Sequence, residues 1–572
     1  MLNQVESIFN VLSNLFKYPF ILLQMILFSI LFLLGLLLII LATKKQKPRS
    51  LYELFSGNET LLIRFSLLIC VAISIGFDLY FFSFITDDAF ITFRYSKNLA
   101  NGEGIVFNSS NENPVEGYSN FLWVLINTIP IFLNWDIVIW VKSLSIFISI
   151  FSILILYNFA CLFYPKKIAL IAPLFYSIYY PFHIWTIGGL ETPLFVLLLI
   201  SGTYFAYIES NNSQKFPKFS VIFLALLTLT RPEGILYFGA IEGFLLIYYL
   251  FIRKEKVVFF QRIISLFIVG VIYIIYFIWS FTYYGQIFPN SYVAKGSSSI
   301  ITSAGMRYLG FFLIFTIPII ILMGVGILKI LVEIEGKILQ HKSFKIMSFL
   351  AVPILVNFII ILNISAFNAA QGFRFALPAM PFIILLAVYP FKRLRKMKIE
   401  EIISLDLNLK QILFSLIPFI SVIGMIILPI SAPLVYKNTS NTDVNDKYYN
   451  IAKWIDKYVP EDELIAFTDM GIIPYYTENE YLDMWGLMDE HIAEEGFDID
   501  YVLDEGPILI ILKEISNTKK IRDDKEFQTN YELFYTLKLK ETTQYLEEQE
   551  YDLWIYKTKD FDISNTTIDK YF

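Results

Sequence analysis

The sequence has 572 residues, 56% of them apolar and 17% charged, against roughly 45–50% and about 25% in soluble domains of ordinary composition. That balance excludes a water-soluble globular chain, and a net charge of −6, concentrated in the C-terminal tail, argues against nucleic acid as a partner. Two cysteines, Cys70 and Cys161, both inside apolar runs, and three scattered histidines give neither a disulfide framework nor a histidine–cysteine metal site.

Many apolar runs exceed the roughly 18–20 residues needed to cross hydrocarbon, which predicts a polytopic α-helical membrane protein. The first, 20-FILLQMILFSILFLLGLLLIILA-42, is too long for a signal-peptide core and no small-residue cleavage site follows it. It is expected to remain as a helix. Further crossings are expected at 60–82, 138–163, 168–187, 194–210, 218–230, 235–252, 262–281, 307–331, 346–364, 376–390 and 412–430, about twelve in all. The run 119–134 is interrupted by Asn127, Pro130 and Asn134, and is expected to be interfacial or re-entrant. The connections then alternate. One set is basic, from KKQKPR (44–49) through YPKK (164–167), NNSQKFPK (211–218), RKEK (253–256) and EGKILQHK (335–342) to KRLRKMK (392–398); the other carries few cations. Lysine and arginine collect on the cytoplasmic side, so the second set and the tail are expected outside. Residues 1–19 carry little charge and leave the N-terminal side open. Polar groups deep in the runs look sparse, which counts against a transporter.

The outward loops hold their charge in compact phrases. In the first of them, 83–137, 86-TDDAFITFRYSKNLANG-102 directly follows a membrane exit. Thr86 or Asp87 suits the N-cap of a helix at 88–99, with acidic residues favoured in its first turn. A carboxylate at a low-dielectric rim also suits a general base. Two together suit a divalent cation (Mg, Mn or Ca) whose shell is completed by water and phosphate. Asp87 and Asp88 are therefore the candidate catalytic residues and the candidate metal ligands. Arg94, two helical turns beyond Asp87, shares its face and suits a partner for the pair, a lipid headgroup or substrate. Glu116 in 114-PVEGYSN-120 is a candidate supporting residue, and Glu191 in 188-GGLETP-193 suits a helix start or a substrate contact. Arg231 in 230-TRPEG-234, Lys295 in 283-YYGQIFPNSYVAKG-296 and Arg374 in 368-NAAQGFRFALPAMP-381 suit a phosphate, or snorkel at the interface. Arg231 beside Glu233 also suits an internal ion pair. His183, among Tyr179, Tyr180 and Trp185, reads as interfacial.

After Pro433 the chain turns polar. Residues 1–433 are expected to form the transmembrane part and 434–572 a soluble α/β domain. Alternating stretches predict strands at 463–469, 507–514, 531–539 and 551–558, with a helix at 447–458. The phrase 468-TDMGIIPYYTENEYLDMWGLMDEH-491 places Asp469 and Gly471 at a strand end, with Asp483 and Asp489 nearby; it suits a binding edge or a solvated acidic turn. There is no Gly-rich nucleotide fingerprint, Walker phrase or triad arrangement, so a lipid-linked donor is expected rather than a nucleotide sugar.

The run 85-ITDDAFITFRYSKNLANGEGIVFN-108 with 115-VEGYSNFLW-123 resembles the first outer loop of bacterial terminal arabinofuranosyltransferases and their relatives, polytopic glycosyltransferases of the GT-C fold that use polyprenyl-phosphate sugars. The phrases 189-GLETPLF-195, 229-LTRPEG-234, 289-PNSYVAK-295, 374-RFALPAMP-381, 469-DMGIIPYY-476 and 485-WGLMDEHIA-493 match in the same order. The resemblance spans most of the chain, though the intervening helices match in hydrophobicity alone. It implies a GT-C-like bundle in which Asp87, assisted by Asp88, is catalytic base or metal ligand. It also implies that Arg374, Lys295 and Arg231 bind the donor phosphate.

These readings predict an integral-membrane glycosyltransferase. It would move a sugar, arabinofuranose on the resemblance, from a polyprenyl-phosphate donor to a hydroxyl of a cell-envelope glycan on the extracytoplasmic face. The alternatives are a protein O-mannosyltransferase-like enzyme, a transporter or flippase for lipid-linked sugars, and a non-catalytic assembly protein that binds glycan lipids.

Overall fold

The computed structural model describes residues 59–109, 114–211, 218–286, 289–290, 301–333, 342–364, 373–396, 442–514, 521–542 and 548–572. The expected crossings at 20–42 and 412–430, and Lys295, lie outside the described residues.

The helical part is built from α1 (Glu59–Tyr80), α2 (Asp87–Asn101), α3 (Phe121–Phe132), α4 (Ile137–Cys161), α5 (Ile171–Ile178), α6 (Tyr180–Ile187), α7 (Thr192–Asn211), α8 (Phe219–Thr230), α9 (Gly234–Ile247), α10 (Lys256–Tyr284), α11 (Ser303–Phe315), α12 (Ile317–Glu333), α13 (Lys342–Leu362) and α14 (Met380–Val388). Among the described residues, six helices are long and apolar enough to cross a membrane: α1, α4, α7, α9 with its continuation to Arg253, α10 and α13. Two bent pairs bring the count to eight if each is one span. The chain is thus a multi-pass membrane protein. α7 is the central helix, enclosed along most of its length, whereas α10 leaves most of its side chains at least partly exposed, as a lipid-facing helix does.

Proline explains where the expected crossings are cut. The run 168–187 is bent by 55° between α5 and α6, where Tyr179 is extended and Pro181 enters the next helix. The run 307–331 is not one straight span: α11 ends at Thr316 and α12 leaves at 85°, with Pro318 near its start. Proline lacks the N–H and clashes with the preceding turn. α8 stops where Arg231 turns extended ahead of Pro232, and α14 starts only at Met380 with Pro381 beside it. At about 1.5 Å per residue, α8 and α3, 12 residues each, reach about 18 Å, short of a core about 30 Å thick.

Polar groups inside the bundle are more numerous than the sequence suggests. Arg262 of α10 is fully enclosed and pairs with Glu209 of α7 at 2.7 Å and Glu242 of α9 at 2.5 Å; Ser220 donates to Glu209 at 2.6 Å. Asp78 of α1 meets His183 of α6 at 2.8 Å, both buried. His183 is thus an internal partner rather than an interfacial ring. Single charges in long apolar windows barely change an average, which is why they escape a hydropathy reading.

The tail opens with α15 (Thr442–Tyr458) and continues as a five-stranded sheet of β1 (Leu464–Phe467), β2 (Glu480–Asp483), β3 (Leu509–Lys513), β4 (Tyr531–Thr542) and β5 (Glu548–Thr558). The order is β2-β1-β3-β5-β4. β1 runs parallel to β2 and β3, while β5 is antiparallel to β3 and β4. Alternation sends Ile465, Phe467, Leu509, Ile511, Leu553 and Ile555 to one core, shared with Trp454 of α15 and the bundle. Ala466, Ile510, Leu512, Trp554 and Tyr556 go to a second core on the other face, with Val502 and Phe527. β2 is the one strand the sequence reading misses.

Candidate active site

The paired aspartates lie at the junction of the bundle and the tail. Thr86 is the N-cap position of α2, yet its side chain caps nothing. Asp87 is half-buried and Asp88 exposed. Asp87 Oδ1 accepts the backbone N–H of Ile472 at 2.8 Å, from the short helix Ile472–Tyr475 that follows β1. The approach is close: a Cβ on Gly471 would overlap the Asp87 carbonyl oxygen and carboxylate. Burial, and then the charge of Asp469, push the Asp87 carboxyl up to about 7; Asp88 adds to the rise, while the Ile472 amide and Lys513 oppose it. Asp469 itself is held by Lys513 and by the Tyr448 hydroxyl at 2.6 Å. The strand-end carboxylate flagged in the tail thus belongs to the same cluster.

Glu191 is the hub of a second group. It lies in a loop whose Gly189 has φ +87°, where a Cβ would sit 2.8 Å from Ala89 of α2. Its Oε1 accepts from Arg231 at 2.6 Å and Arg374 at 2.8 Å, and its Oε2 accepts from Asn120 at 2.9 Å. Burial alone would raise its pKa. The two guanidinium groups and the amide overcome that and hold it at about 2. Arg231 also grips Glu233 through two N–H groups, at 2.8 and 3.2 Å. Arg374 donates to Thr192 Oγ1 at 3.2 Å and lies over Trp185. Asp88 acts on Arg374 through space, so the aspartate pair and the arginine pair share one electrostatic environment. Arg231, Glu233 and Arg374 border a small cavity, with room for about one water.

The remaining predicted residues serve the junction. Arg94 is buried, with its guanidinium donating to the carbonyls of Phe107 (2.7 Å), Asn479 (2.7 Å), Pro474 and Thr477. It fastens α2 to the tail and makes no contact with the aspartate pair. Glu116 is buried, accepts from Ser280 at 3.3 Å, and is pushed up to about 7 by burial. Its backbone carbonyl takes the Asn290 N–H at 2.9 Å. The Asn290 side chain donates to the carbonyls of Gly486 (2.7 Å) and Asp489 (3.0 Å), and a Cβ on Gly117 would overlap Met488. Asp483 shapes that turn by accepting the amides of Trp485, Leu487 and Met488 at 2.8–3.0 Å. Asn120, Tyr448, Asn290 and Lys513 were not singled out from sequence, although Asn120 and Asn290 stand inside quoted phrases.

Among the described residues no three histidine, cysteine, aspartate or glutamate side chains gather as a metal site. One oxygen of Asp87 accepts an amide and Asp469 is held by Lys513 and Tyr448, so Asp87 and Asp88 are the residues that would hold a divalent ion, with water and phosphate completing its shell.

Residues 438–556 match a family described as Domain of unknown function (DUF8728). No curated protein matches the sequence. In solved structures the chain is similar to ArnT from Cupriavidus metallidurans in the apo state, at 11% identity and a TM-score of 0.55, over 85% of this chain and 97% of that one. The same protein bound to undecaprenyl phosphate gives 10% identity, a TM-score of 0.54 and the same coverage. The Archaeoglobus fulgidus oligosaccharyltransferase tethered to an acceptor peptide with the NVT sequon gives 11% identity and a TM-score of 0.51, over 80% of this chain and 70% of that one. At these identities the likeness is one of fold. The protein is a polytopic helical membrane protein of the GT-C-like architecture expected from its loops, with a C-terminal α/β domain.

Proposed function

We propose that this protein is an integral-membrane glycosyltransferase, with residues 1–433 as its transferase bundle and 434–572 as an extracytoplasmic domain that completes the site. It takes a sugar from a polyprenyl-phosphate donor and passes it to a hydroxyl of a cell-envelope glycan. The loop phrases favour arabinofuranose. One observation carries the reading: at one end of the bundle, a carboxylate fixed by a tail amide stands in the same electrostatic environment as two guanidinium groups that share one glutamate. The fold is consistent with it, since a similar structure holds undecaprenyl phosphate and another is an oligosaccharyltransferase.

In the reaction, the acceptor oxygen forms a bond to the anomeric carbon as the bond from that carbon to the phosphate oxygen breaks. The phosphate leaves with the electron pair and the hydroxyl proton passes to Asp87. Arg374 and Arg231 stabilise the charge growing on the phosphate, the largest lever for such a leaving group. They supply positive charge at the rim. Lys295, from the same set of outer loops, is proposed as a further phosphate contact. Asp88 assists by orienting Arg374.

A transporter would need ionisable groups inside the bundle, and Arg262 with Glu209 and Glu242 is such a group. Its charges already engage one another and Ser220, which favours a clamp joining α7, α9 and α10. The test is transfer in membranes from a panel of labelled polyprenyl-phosphate sugars, with Asp87→Asn and Asp88→Asn expressed at equal levels. Label entering glycan in the wild type and lost in Asp87→Asn is the expected result. Unchanged transfer in both variants would reduce the pair to a helix start.

A further inference from the structure

Asp78 and His183 belong to neither half of the proposed site, yet each stands a short way before one of them in the chain. α1 ends just after Asp78 and continues through Phe84 to Thr86, Asp87 and Asp88. α6, which carries His183, continues through Trp185 to the Gly188–Gly189 turn and Glu191. Both side chains are buried, and Phe77, Phe81, Phe84, Tyr180 and Ile184 of the same two segments pack as a small core of their own. The His183 ring stacks on Phe77, with centroids 5.1 Å apart. Its Nε2 meets the Ser177 carbonyl and its Nδ1 meets Asp78 Oδ1, each at 2.8 Å. A carbonyl can only accept, so Nε2 carries one proton, and a second lies between Nδ1 and Asp78. Whichever atom holds that second proton, the pair is neutral and the ring is fixed at both nitrogens. The other Asp78 oxygen is buried with no hydrogen-bond partner among the described residues, so His183 alone compensates the carboxyl group.

Beyond the pair, the two segments stay in contact up to the site. Phe84 packs edge-on against Trp185 at 6.1 Å, and the Thr86 N–H donates to the Gly188 carbonyl at 3.2 Å. The Gly189 backbone then passes so close to α2 that a Cβ would sit 2.8 Å from Ala89. Trp185 in turn lies under the Arg374 guanidinium, 5.3 Å from its ring centre. A shift of α6 against α1 would therefore move the aspartates relative to Glu191 and the arginines it holds. We infer that Asp78 and His183 are positioning residues, which lock α1 to α6 and so set how the aspartate loop meets the Glu191–arginine group. The inference rests on the glycosyltransferase reading and extends it to a buried pair that acts through two loops.

The test uses purified full-length protein and separates position from stability. Removing His183 alone would strand a buried carboxyl group, whereas replacing both partners by apolar side chains of similar size tends to preserve folding. In the double variant Asp78→Leu, His183→Phe, kcat should fall about a hundredfold, the cost of moving reacting groups by about 1 Å. The donor KM should be unchanged, because Arg231 and Arg374 remain together on Glu191. Asp78→Asn is the rescue: with the ring proton on Nε2, the new amide can donate to Nδ1, and kcat should be largely kept. Asp78→Leu alone leaves a neutral ring still bound to Ser177 and carries the same expectation as the double variant, should that one fail to fold. A second readout needs no chemistry. Thr86→Cys and Gly188→Cys, at positions whose backbones are hydrogen-bonded, should form a disulfide under mild oxidation, and lose it in the double variant but not in Asp78→Asn. Wild-type kcat or wild-type crosslinking in the folded double variant would overturn the inference, as would a loss in Asp78→Asn as deep as in the double variant. If the wild type transfers sugar from none of the donors, the glycosyltransferase reading falls, and the crosslink alone decides whether the pair locks the two loops together.

Discussion

Asp87 can act as a base only after losing its proton, and its surroundings delay that loss to about pH 7. The deprotonated fraction rises with pH, so transfer should climb through neutrality and at pH 6 lie about tenfold below its alkaline plateau. Glu191, held at about 2, stays ionised throughout that range and cannot produce the limb. Glu116 titrates near 7 as well; Glu116→Gln should leave the limb in place, and a profile that vanishes in that variant would move the base assignment. Gly471→Ala tests position rather than charge. The added methyl meets Asp87 backbone and carboxylate, so transfer should fall by about a hundredfold, the scale of a small misplacement of a reacting group, in protein that still folds. The aspartates and the outer-loop arginines were legible in sequence because ionisable groups at membrane exits are conspicuous. Their partners were not. Asn120 stands 71 residues from Glu191, and Ile472 stands 385 from Asp87, separations that no local pattern encodes.

The helices and strands show the same division between what a pattern can and cannot encode. The tail strands follow from period-two alternation, and β1, β3, β4 and β5 overlap the expected segments. β2, with the sequence Glu480–Asp483 and only four residues, is too short and too acidic to announce itself, and exists because β1 offers it a parallel edge. In the bundle, averaged hydropathy finds apolar runs but does not register that Pro318 and Pro181 break two of them. Arg94 illustrates a helix whose role lies in what it fastens. Four tail and loop carbonyls surround its guanidinium, so Arg94→Leu should leave them buried and unpaired, at about 3 kcal/mol. Limited proteolysis should then cut the tail faster than in the wild type, with the bundle intact. Equal cleavage rates would show that Arg94 does not hold the junction.

For the whole molecule, the proposed outward orientation of the tail rests on the charges of the connections. Cys70 is buried and Cys161 half-buried, so a thiol placed at exposed Glu461 gives a clean reporter. Glu461→Cys should react with a membrane-impermeant maleimide in intact cells; labelling only after lysis would reverse the topology and the location of the reaction. The junction has one more implication, concerning synthesis. Asp87 is made early, but the amide that fixes it and the turn seated on Gly117 belong to residues 471–488. A ribosome that has threaded the bundle into the bilayer has not yet made the residues that fix Asp87. On the proposed function, competence waits for residues 471–488 to reach the first loop, so a chain interrupted before them lacks the amide that fixes Asp87.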